Sequence, residues 1–428
     1  MQEKKFIVQF NEANFDLIRK YCSKYDLPYL EKVLQSNLIE TSSESEYHLL
    51  EPWIQWYSFY TNLPFSEHKT FNLGDCLKHS HNNFIEDYAT VGNNVGVFGS
   101  MNLKNSDYFK VYIPDPWTES SSRGGLEYSL ISFALNQIVN ENAKLNLSLK
   151  SLVGLILLIG IPTDLMHIRM ITKALLSFVK KDRANLAALF DYFLANYALR
   201  KSKSNKLDLT IFFMNGLAHI QHHYFLNSEF IEGSNPSWYA DSTDFFYESL
   251  KIYDKVFERI FKIINHSDEL WTITGLTQKS YSNPFCYWRF SDHKNLLQNF
   301  INTSFEVFPR MTRDFEIKFK NKEDENLVLK FLDEAKIKHS NHTLSIAFIN
   351  IDKTSKNSYF ASFAYSGEEK NIKLCHNNKE VSLENKITFI ALKNAGHDQK
   401  GWAFTNKNLN TEKKHLPIWE LSNLIFKQ

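Results

Sequence analysis

The run Leu207 to Met214 (LDLTIFFM) is apolar almost end to end and stops at Asn215. It lacks the alternation of a half-solvated strand and suits a strand covered on both faces, as the strands of parallel sheets are. Similar β-rich runs occur at Phe6 to Phe10, Asn94 to Ser100, Tyr108 to Ile113 and Glu269 to Thr274, while Asn14 to Tyr25, Pro28 to Leu34 and Phe245 to Asn265 have helical spacing. Strand alternating with helix predicts an α/β fold with a central, mainly parallel sheet sandwiched by helices. A chain of 428 residues has room for that sheet plus insertions or a second domain.

The pattern divides the chain into four stretches. Residues 1–124 and 206–300 form the first and second parts of the α/β core. Residues 125–205, where Pro and Gly nearly vanish and Leu, Ala, Lys and Phe recur at helical spacing, form a helical insertion. Residues 301–428 form a C-terminal α+β portion whose His397 is expected to return to the site.

Forty-nine Lys and Arg against 48 Asp and Glu leave a net charge of +1, too little field to hold nucleic acid through its phosphates. Cys22, Cys76, Cys286 and Cys375 are scattered, with neither a CxxC pair nor a disulfide framework, and fit reduced thiols in a cytoplasmic protein. The first ten residues carry an apolar run too short for a signal-peptide core and read as the first strand. No glycine-rich phosphate loop, GxSxG elbow or GxGxxG fingerprint is present, which sets aside kinases, α/β-hydrolases and Rossmann dehydrogenases.

In open α/β sheets ligands bind beyond the carboxyl ends of the strands, so polar residues closing the apolar runs are the candidates. These are Asn11 and Glu12; Asn215, His219, His222 and His223; Thr274, Thr277 and Gln278; and His397 and Asp398. Imidazoles three and four residues apart on a helix share a face and can hold a divalent metal; hydrogen-bonded loop histidines are the plainer reading. Glu51 precedes the aromatic Pro52-Trp53-Ile54-Gln55-Trp56, where partial desolvation would raise a carboxylate's pKa for acid–base work, unless it is a surface residue before a core segment. Asp115 and Trp117 in Pro114-Asp115-Pro116-Trp117 suit a sugar ring or a structural turn equally.

The order of these segments resembles the alkaline phosphatase superfamily, in particular its type I phosphodiesterase and nucleotide pyrophosphatase branch. Phe6 to Ile18 with Leu27-Pro28-Tyr29-Leu30 is similar to that family's first strand, metal loop and following helix. Glu51 to Asn62, with Pro64 and Glu67-His68, is similar to its nucleophile segment; Asn215-Gly-Leu-Ala-His219 has its Asp-to-His spacing; Gly396-His397 resembles its last metal histidine. Asn11 and Asn215 stand where the family has Asp, Thr274 to Gln278 replaces its Asp-His-Gly, and Glu51 and Pro52 stand at its hydroxyl nucleophile. Amides in place of carboxylates remove charge that two divalent cations need.

With those departures the expectation is at most one divalent cation, zinc or manganese, held by Asn11, Glu12, Asn215, His219 and His397, or no cofactor. The candidate catalytic residues are Glu51, Gln55 and His223, and the candidate substrate contacts are Trp53, Asp115, Trp117, His222, Gln278 and Asp398. The expected function is a hydrolase or transferase acting on a phosphorylated or nucleotide-activated sugar, in bacterial surface glycan biosynthesis. The alternative is a catalytically inactive protein that binds a glycan or nucleotide on the same fold. The expected partners are a small-molecule or glycan substrate and no nucleic acid.

Leu152 to Ile161 (LVGLILLIGI) is the most apolar run, about half the length that spans a bilayer. Core burial and a position on a membrane surface are its two readings. Interruption by Gly154 and Gly160 and closure by Pro162 favour burial with self-association as a homodimer. The basic residues around it, Lys150, Arg169, Lys173 and Lys180 among them, keep peripheral contact with an anionic membrane as the other expectation.

Overall fold

The computed structural model describes residues 3–140, 147–180, 183–231, 243–309, 313–355, 357–369, 371–409 and 414–426. The chain opens with β1 (Lys5–Phe10), α1 (Phe15–Lys24), α2 (Pro28–Leu34) and β2 (Asn37–Ser42). Asn14 starts α1 by accepting the Leu17 N–H at 2.9 Å. Pro28, which lacks an N–H that would be orphaned there, opens α2, and Asp254 accepts the next two N–H groups, of Tyr29 and Leu30. The aromatic stretch after Glu51 folds as α3 (Pro52–Thr61) and α4 (Phe65–His68), followed by α5 (Phe84–Thr90), β3 (Val95–Phe98) and β4 (Val111–Ile113).

The insertion consists of α6 (Leu126–Asn140), α7 (Leu149–Ile159), α8 (Leu165–Lys180) and α9 (Arg183–Ser204). After it come β5 (Leu209–Met214), α10 (Gly216–Tyr224), α11 (Phe245–Ile263), β6 (Glu269–Ile273) and β7 (Thr277–Phe290). The expected burial of the apolar run fails in part. In α7 only Ser151, Gly154 and Leu158 are buried, whereas Leu152, Val153 and Ile156 are exposed, because the helix packs on α6 with its small-residue side. Among the described residues no helix is long and apolar enough to cross a membrane.

The chain divides into two compact units, Met1–Ser280 with Ala395–Gln428, and Tyr281–Asn394. The boundaries differ from those read in the sequence: the second unit begins before residue 301, and the last 34 residues, Ala395–Gln428, belong to the first. The second unit contains α12 (His293–Gln298), β8 (Phe305–Pro309), β9 (Asp314–Phe319), α13 (Lys322–Glu334), β10 (Lys336–Lys338), β11 (Leu344–Ile346), β12 (Phe348–Ser355), β13 (Ser358–Phe363), β14 (Lys373–His376) and β15 (Lys379–Ser382). These strands make two antiparallel sheets, in the orders β12-β13-β9-β8 and β11-β10-β14-β15. The chain leaves the first unit within β7 and returns within β16 (Ile387–Asp398), to which β7 is paired. It ends in β17 (Lys400–Thr405), β18 (His415–Pro417) and α14 (Ile418–Phe426).

The first unit is built on an eight-stranded sheet in the order β18-β2-β17-β6-β1-β5-β3-β4. From β6 to β4 every neighbour is parallel, as the unbroken apolar runs require; β17 is antiparallel to both β6 and β2. Side chains of a strand alternate between faces. Phe6, Val8 and Phe10 therefore pack in one core with residues of α1, α9, α10 and α11, and Ile7 packs in the other with Trp56, Phe59 and Ile418. The register sets Phe10 beside Met214 and Gln9 beside Ile273, so β1, β5 and β6 end together and deliver their next residues to one rim.

Candidate metal centre

At that rim the Asn11 N–H donates to the Met214 carbonyl at 3.0 Å, which carries the sheet one residue beyond β1. Glu12 then takes φ of 55°, a left-handed conformation that a side-chain-bearing residue adopts only when its surroundings hold it. Gln221 Nε2 holds it by donating to the Glu12 carbonyl at 2.7 Å, with Thr277 Oγ1 at 3.4 Å. The Glu12 side chain is thereby turned inward and is 3 % exposed.

Three nitrogens converge on Glu12 Oε2: His222 Nε2 at 3.1 Å, His397 Nε2 at 3.2 Å and Gln278 Nε2, which donates to it. Burial alone would push the Glu12 carboxyl up; the charges of His397 and His222 outweigh it and hold the group well below the usual carboxylate range. The far sides of the two rings also face oxygen. His222 Nδ1 lies 3.4 Å from the Ala395 carbonyl and His397 Nδ1 lies 3.7 Å from Glu51 Oε2. A carbonyl oxygen only accepts, so His222 carries a proton on Nδ1. A neutral His222 then aims the Nε2 lone pair at a carboxylate, which is repulsive unless a proton or a metal cation lies between them. Glu12, His222 and His397 each offer one ligand atom, all within 4.8 Å of one another, and so form a group able to hold a metal ion.

The amides expected as ligands frame this centre instead. Asn11 Nδ2 donates to Glu12 Oε1 at 2.9 Å and to Asn215 Oδ1 at 2.8 Å, and Asn11 Oδ1 accepts the Trp56 indole N–H at 2.8 Å. That engages both polar ends of Asn11 and the oxygen of Asn215. His219 is replaced there by His222. The helix begins at Gly216, so His219 lies one turn before His223, with which it makes an edge-on ring contact at 4.6 Å, while His222 approaches His397 at 5.2 Å. His223 likewise lies outside the ligand group.

Glu51 stands just before α3, with its side chain about one-third exposed, and meets the centre through His397. Gln55 is spent on the preceding loop, donating to the Leu49 carbonyl at 2.9 Å and accepting from the Glu44 N–H at 3.4 Å. Trp53 Nε1 donates to the Phe71 carbonyl. Asp115 is 1 % exposed and closes a turn by accepting the N–H groups of Asn102, Trp117 and Thr118, and Trp117 packs against the core. Burial raises the Asp115 pKa against the pull of those bonds. Asp398 pairs with Lys279 and accepts the Lys400 N–H in the turn between β16 and β17.

Sequence reasoning missed Asp191. It projects from α9 onto the start of α10, accepting the Asn215 N–H at 3.2 Å, the Gly216 N–H at 2.7 Å and the Tyr253 hydroxyl at 2.8 Å. It is the one acidic residue of α9, a lone charge in a largely apolar stretch, and that was the available signal. Gln221 and Trp56, which hold Glu12 and Asn11, carried no such mark.

No family model matches the chain, and no curated protein matches it. Among solved structures it is similar to phosphonoacetate hydrolase from Sinorhizobium meliloti 1021 in complex with phosphonoformate, at 9 % identity and a TM-score of 0.44, covering 100 % of this chain and 96 % of that one. It is also similar to an inactive form of murine ectonucleotide pyrophosphatase / phosphodiesterase 5 in complex with AMP, at 8 % identity and a TM-score of 0.43, covering 99 % and 94 %. A third is alkaline phosphatase from the Antarctic bacterium TAB5, at 10 % identity and a TM-score of 0.41, covering 99 % and 96 %.

Proposed function

We propose that the protein is a hydrolase or transferase of phosphate esters, with a phosphorylated or nucleotide-activated sugar as substrate, working at one divalent cation held by Glu12, His222 and His397. The observation that carries this reading is that the two imidazole Nε2 atoms and one carboxylate oxygen converge while each ring is backed by an oxygen at Nδ1. Such backing fixes the orientation of metal-ligating histidines and raises their basicity. The donor set fits one cation; Asn11 and Asn215 bring no charge for a second.

A divalent cation bound there supplies Lewis acidity toward a phosphoryl oxygen and lowers the pKa of a bound water. The chain's own residues do the rest. Glu12 supplies the negative charge and His222 the orientation. Glu51, at the open side, takes a proton from the attacking hydroxyl or water and shares its charge with His397 Nδ1. The phosphoryl class rests on the order of motifs along the chain. A groove of about 350 Å³ where β4 ends, three strands along the sheet from β1, is lined by Ser120, Ser121, Ser122 and Asn136 with Glu119 and Lys150, and offers hydroxyl and amide donors of the kind a sugar uses.

The test joins elemental analysis of protein purified without chelator to turnover of a panel of phosphomonoesters, phosphodiesters and sugar nucleotides. One equivalent of metal is expected, with Glu51→Gln lowering kcat by about 10²–10⁴-fold and leaving the metal in place. Two equivalents would refute the argument from the amides. Absence of turnover with any added divalent ion would assign the cleft to a non-catalytic glycan- or nucleotide-binding protein.

A further inference from the structure

Two helices of the insertion are built inside out. In α8 the buried residues are His167 and Ser177, and in α7 they include Ser151 and Gly154, which lies so close to α6 that a Cβ there would sit 2.2 Å from the Leu130 carbonyl oxygen. The water-facing residues are Leu152, Val153 and Ile156 in α7 and Ile168, Leu175 and Val179 in α8, with Ile156 68 % and Val179 79 % exposed. Their three-, four- and seven-residue spacing makes one stripe on each helix. A helix facing water on that side would carry polar residues there. The glycine that interrupts the α7 run faces α6, so the outer stripe is continuous.

The charge around these stripes is of one sign. From Leu149 to Lys180 the chain carries Lys150, Arg169, Lys173 and Lys180 against Asp164 alone. Asp164 is taken by Arg259 at 2.7 Å and Lys173 pairs with Glu248 at 3.7 Å. Arg169 and Lys180 have no ion-pair partner among the described residues. A second copy docked through the same face would set cations against cations, since a two-fold interface pairs each patch with itself. An anionic lipid surface satisfies the apolar stripe and the charge together.

We propose that the insertion docks peripherally on an anionic membrane, the exposed aliphatic stripes of α7 and α8 entering the boundary between headgroups and acyl chains. Sedimentation of the full chain with vesicles tests this, using phosphatidylcholine alone and with about 30 % phosphatidylglycerol. The protein is expected to pellet with the anionic vesicles in low salt and to be released in high salt. Arg169→Glu with Lys180→Glu should weaken binding at least about 25-fold, at roughly five-fold for each cation lost. Ile156→Ser with Leu175→Ser should abolish it, and both double variants should keep the parent circular dichroism, since the altered side chains touch solvent. Failure to pellet with either vesicle would overturn the proposal. A lipid-free dimer that Ile156→Ser with Leu175→Ser dissociates would overturn it too, and would assign the face to self-association.

Discussion

Asn11 donates both of its amide protons, to Glu12 Oε1 and to Asn215 Oδ1. An aspartate there would set a carboxylate oxygen against each acceptor with no proton to share. Asn11→Asp should therefore cost about 1–3 kcal/mol in the presence of chelator, and a divalent cation should recover part of the loss, as thermal melts with and without metal would show. An unchanged melting temperature in chelator would mean that the amide is not holding Glu12. The sequence located this pair because it ends a strand. It did not reveal that Asn11 serves Trp56 and Glu12 rather than a metal, since which atom of an amide faces which neighbour is decided by residues 45 and 204 positions away. His222 was legible as one of three histidines; only the pitch and start of α10 select it.

Asp191 joins the insertion to the site. Burial pushes its pKa from the ordinary 3.8 to about 7, against the bonds from Tyr253, Gly216 and Asn215. A carboxyl raised on folding is protonated in the native state while the unfolded chain has already ionised, so its contribution is whole below pH 3.8 and is lost as pH rises toward about 7. Asp191→Asn should flatten the fall in stability between those limits, measured by urea unfolding across the range; a parallel decline in both proteins would remove the group from the account. Beside it, Gly216 lets α9 approach α10: a Cβ there would sit 2.6 Å from the Ala187 carbonyl oxygen and 2.7 Å from the Tyr253 hydroxyl. Gly216→Ala should cost about 1–3 kcal/mol through overpacking and weaken metal retention by tilting His222, both readable by melting and metal analysis. Helices such as α1, α2 and α11 were legible to within about two residues because caps and periodicity agree over two turns or more. In β17 the apolar stretch is short, Trp402 to Phe404, and its antiparallel place between β6 and β2 follows from partners far away in the chain.

Across the molecule the parallel half of the main sheet could be read from the sequence, because strands buried on both faces write themselves as unbroken apolar runs. The second unit could not be delimited, since β7 and β16 run through its boundaries without a change in composition. The position of β2 has a further consequence. Both its neighbours, β17 and β18, lie at residues 400–405 and 415–417, so β2 has no partner in the sheet until roughly 350 further residues have been made. At ordinary translation rates that interval of roughly 350 residues lasts about 20–70 s. The nascent chain therefore carries an unclaimed strand throughout that interval, and the Glu12 centre cannot close before His397 clears the ribosome. Chaperone supply during translation should therefore raise the yield of folded protein, as expression with and without added chaperones would measure.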